Sequence, residues 1–184
     1  MTSHALMNWT DRASAFENYL TKHNLMFHRP AIIVFFFYLL SAWLIFTGCD
    51  RNRIYDEYRH FDRNIWNRYE AKRFEITVND TVTYNDFYIG VRNTTDYPYA
   101  NLYLFIDSQF PGGQTYRDTI ECLLADRQGK WLGRGLGKIK DNRFLFKRLV
   151  RFPVKGTYVF TIQQAMRTED LTGIADIGLR LEKH

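Results

Sequence analysis

Among 184 residues, 46% are hydrophobic, 17% aromatic and 24% charged, which excludes an intrinsically disordered chain. Eleven Gly and 4 Pro exclude a collagen-like repeat, and 2 Cys exclude a disulfide-rich miniprotein. The formal net charge of +5 is spread along the chain, so no nucleic-acid footprint is present and no nucleic-acid partner is expected.

Residues 1–25 are polar and include Asp11 and Glu17. Met26 begins a more ordinary leader, Met26-Phe27-His28-Arg29-Pro30, which points to a true translation start at Met26 or Met7. The charge-free run Ala31–Gly48 follows, at the border between a signal-peptide core and a membrane span. It stops at Thr47-Gly48-Cys49, where small residues before a cysteine resemble a bacterial lipobox. In such a motif diacylglycerol is attached to the thiol and cleavage makes that cysteine the new N-terminus. Phe46 stands three residues before the cysteine in place of the usual Leu. The other reading of this run is an uncleaved signal-anchor helix. Residues 1–48 are therefore expected to be an extension plus signal peptide, with Cys49 as the lipid attachment site and the membrane as partner.

Cleavage there would leave 22 of the 25 basic and 18 of the 20 acidic residues. With Cys49 acylated, Cys122 has no partner for a disulfide. Residues 49–71 are polar with interspersed aromatics and are expected to be a lipidated tether that folds back through Trp66 and Tyr69.

From Lys72 the pattern is all-β. Arg73–Val78 alternates Phe74, Ile76 and Val78 on one face, and Asn79-Asp80 signals a turn. Thr83–Asn93 is rich in β-branched and aromatic residues. Tyr99–Asp107 is nearly all apolar, as suits a strand covered on both faces. Thr115–Ala125 leads through Asp126–Gly129 into Lys130–Gly133, a hairpin by composition. Phe144–Phe152, Thr157–Gln163 and Ile177–Leu181 complete the pattern, and a helical period is visible only over Gln163–Leu171. About eight strands at this spacing predict an antiparallel β-sandwich or jelly-roll-like domain over residues 72–184.

No motif carries catalytic chemistry. Gly133-Arg134-Gly135-Leu136-Gly137-Lys138 lacks the spacing of a phosphate loop, and its glycines suit positive φ in a β-rich loop. Only His60 and His184 lie beyond Cys49, far apart, so neither a metal site nor another cofactor is expected. Ser108 is the sole serine there and would need His60 as its base, and Cys122 sits in an apolar strand pattern that buries thiols. The expectation is a non-enzyme with no small-molecule substrate. Asp80-Thr81-Val82 and Asp118-Thr119-Ile120 resemble the Asp-Thr-aliphatic O-glycosylation pattern of Bacteroidetes, which marks Thr81 and Thr119 as candidate acceptors. Tyr97, Tyr99 and Trp131 could form an exposed aromatic platform for a sugar or a protein partner.

Several segments together carry a family resemblance: Gly48-Cys49-Asp50, Tyr97–Leu104, Asp118–Asp126, Gly129–Gly135, Gly156–Phe160 and Gln164–Arg167. In this order they resemble the gliding motility lipoprotein GldH family of Bacteroidetes over most of residues 49–182. The resemblance implies a cell-envelope protein, lipid-anchored to the inner or outer membrane and facing the periplasm. It also implies partners in the gliding or type IX secretion machinery. It brings no catalytic residues, and only Cys49 transfers as a functional residue. The alternative is an envelope glycan-binding module on the same scaffold, unrelated to motility.

Overall fold

The computed structural model describes residues 17–19, 33–38 and 51–184. Residues 17–19 and 33–38 are helical, and among the described residues no helix is long and apolar enough to cross a membrane. Cys49 and most of the apolar run 31–48 lie outside the described residues. Residues 50–184 form a compact unit of their own.

That unit is an all-β sandwich. One sheet has the order β1 (Arg53–His60), β10 (Ile174–Lys183), β4 (Asn85–Thr94), β7 (Ile139–Val150). The other has the order β3 (Lys72–Val78), β8 (Gly156–Gln164), β5 (Asn101–Gln109), β6 (Thr115–Leu123). A short third pair joins β2 (Ile65–Asn67) to β9 (Asp170–Thr172), and all pairings are antiparallel.

Period-two alternation builds the core. Phe74, Ile76 and Val78 of β3, Leu102, Leu104 and Ile106 of β5, and Tyr158, Phe160 and Ile162 of β8 all point inward and are buried. They meet Phe87, Ile89 and Val91 of β4 and Ile177, Leu179 and Leu181 of β10. Phe87 and Phe160 join the two layers with ring centroids 5.2 Å apart. Each such side chain contributes about 1.5–3 kcal/mol by leaving water, which holds the two layers face to face.

Three expectations are corrected here. The stretch assigned to a tether is mostly inside the fold. Residues 53–60 form β1, paired along β10, and residues 65–67 form β2. Trp66 does fold back and is fully buried against Phe61, but Tyr69 is 76% exposed. No helix forms over residues 163–171, because β8 runs to Gln164 and β9 begins at Asp170. Finally, β5 is covered on one face only: Tyr103 is exposed on the outer face, and there Phe105 is overlaid by the Arg117 guanidinium at 5.2 Å.

The strands covered on both faces are instead β4 and β10. Their outer face holds a charge lattice set by register. His60, Asp176, Arg92 and Asp141 form one row, and Asp56, Arg180 and Tyr88 form another. Arg180 is buried and donates to Asp56 at 2.6 Å and to Glu182. Between these rows the Tyr58 ring lies across Gly178 and Gly90.

Candidate functional site

Two strand edges, β6 and β7, border one side of the sandwich. The chain crosses between them through residues 124–138. The Leu124 carbonyl accepts from Leu132 N–H, Ala125 pairs with Trp131, and Arg134 exchanges both backbone hydrogen bonds with Asp141. Beyond Asp141, β7 has no strand partner on its outer edge among the described residues. The Lys147 ammonium reaches the Asp118 carboxylate at 2.6 Å and ties the two sheets together across this side.

The loop glycines serve the geometry expected of them. Gly135 and Gly137 take φ of 131° and 101°. A Cβ on Gly133 would lie 2.7 Å from the Asn142 side chain, which is buried and hydrogen-bonded to Asn93. Leu136 at the loop tip is fully exposed, and Leu123, Leu132, Ile139 and Leu145 are about half exposed. A cavity of about 460 Å³ is lined there by Leu123, Leu132, Arg134, Arg143 and Phe144, among others. Unpaired strand edges beside exposed apolar side chains are what a docking partner covers.

The Tyr97 and Tyr99 rings meet edge to face with centroids 5.7 Å apart, but the three aromatic residues do not present one exposed surface. Tyr97 is only 4% exposed; its hydroxyl donates to the Asn101 carbonyl at 2.9 Å, and burial pushes its pKa up. Trp131 is half-buried against the core. Tyr99 is 38% exposed, and its hydroxyl lies 2.8 Å from that of Thr168. Sequence reasoning missed its neighbours: Tyr99, Tyr103, Met166 and Arg167 line a cavity of about 340 Å³ at the ends of β5 and β8. The signal available was the outward position of Tyr103 in the alternation of β5.

Of the candidate glycan acceptors, Thr119 is exposed on the outer face of β6, and Thr81 is half-buried in the β3–β4 loop. The Asp80 carboxylate beside Thr81 accepts from the Thr83 hydroxyl and from the N–H groups of Val82 and Thr83, which hold its pKa at about 2.

The possible nucleophiles are kept apart from the bases. Ser108 is buried on the inner face of β5, while His60 is exposed on the outer face of the other sheet, 3.1 Å from Asp176. Cys122 is fully buried, and burial pushes its thiol up to about 12. No group of three His, Cys, Asp or Glu side chains that could hold a metal occurs among the described residues.

Comparison with known proteins bears on the same span. The family model described as GldH lipoprotein matches residues 53–181, starting at the first residue of β1. The chain is 36% identical over 162 residues to a gliding motility lipoprotein GldH homolog of Christiangramia forsetii, covering 84% of this chain and 98% of that protein. It is 34% identical over 152 residues to the gliding motility lipoprotein GldH of Flavobacterium johnsoniae, covering 79% and 93% respectively.

Proposed function

The chain belongs to the GldH lipoprotein family, and we propose that it is a non-catalytic assembly component of the cell envelope. In this reading a lipid on Cys49 holds it to the inner or outer membrane, and the sandwich faces the periplasm. An envelope protein of the gliding or type IX secretion machinery docks on the side between β6 and β7. The observation that carries the docking is the pair of half-exposed leucines, Leu123 and Leu132, lining a cavity beside two strand edges that, past the Arg134–Asp141 bridge, have no outer strand partner among the described residues. Burying the exposed half of such a side chain contributes about 1 kcal/mol, so the group is enough to anchor a modest interface. The lipid confines both partners to one surface and raises their effective concentration.

The test is site-specific photocrosslinking in growing cells, with the crosslinker at Leu132 or Leu145 and, as control, at Glu75 on the far edge strand β3. A discrete adduct from positions 132 and 145, absent from 75 and lost with Leu123→Asp, supports the reading. Identical adducts from all three positions, or none, overturn it.

The glycan-binding alternative is favoured by one feature, the cavity beside Tyr99 and Tyr103. It predicts saturable binding of envelope glycan that Tyr103→Ala abolishes and Leu132→Asp leaves intact.

A further inference from the structure

We propose that the end of the sandwich from which β1 starts is a docking surface for anionic phospholipid headgroups; this rests on the lipid anchor at Cys49 read above. The first observation is the length of the connection. The Lys183 N–H donates to the Asn52 carbonyl at 2.8 Å, so the chain is fastened to the sheet at Asn52. Three residue steps separate Asn52 from Cys49 and span at most about 10 Å when extended. Asn52 would therefore be held within about one Debye length of the headgroups, where surface charge is felt, with the rest of this end close by.

The second observation is what this end carries. The β3–β4 loop, the β5–β6 loop and the β7–β8 loop all converge here with the start of β1 and the end of β10. Arg51, Arg148, Arg151, Lys155 and Lys183 lie on or beside these segments and are exposed; Arg148 lies in the field of the Asp86 carboxylate and Lys183 in that of Asp80, while none of the five makes a close ion pair among the described residues. Asp80 is the one acidic side chain on the three loops, and it is occupied by the turn it closes; on the adjoining strand ends Asp86 is taken up by His184 and the Leu149 N–H, and Glu182 by Arg180 and Arg143. Apolar side chains stand out between the cations: Val82 is 77% exposed, and Tyr84 and Val154 are half exposed. Arg151 lies over the Tyr84 ring at 5.9 Å.

The opposite end has no such bias. There Asp62, Asp96, Asp126 and Glu169 are interspersed with Arg63, Lys130, Arg134 and Lys138. A predominantly basic end whose few acids are already engaged, with apolar loop tips, suits an interface with anionic lipid. A mixed end does not.

The experiment uses the full lipidated protein reconstituted in phosphatidylethanolamine vesicles with roughly a third phosphatidylglycerol. A fluorophore is placed on Val154→Cys or on Leu136→Cys at the opposite end, with Cys122 silent because it is buried. Lipids carrying a headgroup nitroxide act as quencher. At least about fivefold stronger quenching is expected at position 154 than at 136, falling to near the 136 level in the combined variant Arg148→Glu, Arg151→Glu, Lys155→Glu. Equal quenching at the two positions overturns the orientation. Strong quenching at 154 that survives charge reversal overturns the headgroup contact and leaves the tether alone in control. Intact mass lacking diacylglycerol on Cys49 overturns the anchor itself, and with it this orientation, by a readout separate from fluorescence.

Discussion

Gly178→Ala tests whether the outer face of the first sheet is built around Tyr58. In a strand, Gly→Ala is worth roughly 0.5–1 kcal/mol in favour of folding when space allows. Space does not allow it here. A Cβ on Gly178 would lie 2.8 Å from Cδ1 and Cε1 of Tyr58, and a Cβ on the neighbouring Gly90 would lie 2.4 Å from its hydroxyl. The ring therefore has to tip outward. It would leave the Arg92 guanidinium, now 4.1 Å from its centroid, and the Asp141 carboxylate at 3.5 Å. Losing the cation–π contact costs about 0.5–1 kcal/mol and overpacking about 1–3 kcal/mol. Net destabilisation of about 0.5–3.5 kcal/mol, centred near about 2 kcal/mol, follows once the helpful backbone effect is subtracted. For a domain of this size the central value is about 3–8 °C in Tm. The assay is urea and thermal unfolding of Gly178→Ala, Tyr58→Ala and the double variant. With the ring gone, Gly178→Ala is expected to be neutral or stabilising, so the two changes couple. An equal cost of Gly178→Ala in both backgrounds refutes the packing argument.

Burial raises the pKa of Asp86, but hydrogen bonds from His184 and from the Leu149 N–H outweigh it and hold the carboxyl below its ordinary 3.8. A depressed carboxylate stabilises above its unfolded pKa and loses that contribution as pH falls through the folded value. The stability deficit of Asp86→Asn should thus be largest near neutral pH and shrink below about pH 3.8; a deficit constant with pH in urea titrations refutes this. Cys122, pushed up to about 12 by burial, should react with iodoacetamide at least about a thousandfold more slowly in the folded protein than in urea. Comparable rates would mean that β6 opens readily. Trp131→Ala should lower stability by about 1–3 kcal/mol, since the indole packs on the core; unchanged unfolding with lost ligand binding would restore Trp131 to a surface role. Glycosylation at Thr119, exposed on β6, predicts that Thr119→Ala lowers the intact mass by one glycan, and an unchanged mass excludes that acceptor.

The core strands were legible because alternation is a local signal. Phe74-Ile76-Val78 and Tyr158-Phe160-Ile162 show their buried face within a few residues. The first strand was not legible, because RIYDEYRH buries little on its own and gains its place by pairing with β10, more than a hundred residues away. The same distance hid the Arg180–Asp56 pair and the shelf that Gly90 and Gly178 make for Tyr58. Tyr97 read as a loop aromatic beside Pro98, yet its hydroxyl finds the Asn101 carbonyl four residues on, and that single bond lets the ring enter the core. The open side between β6 and β7 depends on which strands end a sheet, and sheet order is not written in any one segment.

The short connection and the sheet order together fix how the proposed surfaces would be presented. With the start of β1 against the headgroups, the long strands rise away from the membrane. β7, with 12 residues, would stand about 40 Å along that direction. It is the edge farthest from β1 in its sheet, about 14 Å across three strand spacings. The leucine-bearing side would then face along the membrane plane instead of away from it, and Leu136 would sit near its outer limit. A freely diffusing partner gains nothing from that geometry. A partner that is itself held in the same membrane meets the surface in two dimensions, at an effective concentration set by the anchors. The charge distribution fits the same division of labour: exposed cations gather at the end from which β1 starts, while the outer face of β4 and β10 neutralises itself row by row and would leave the leucine side as the region that recruits protein.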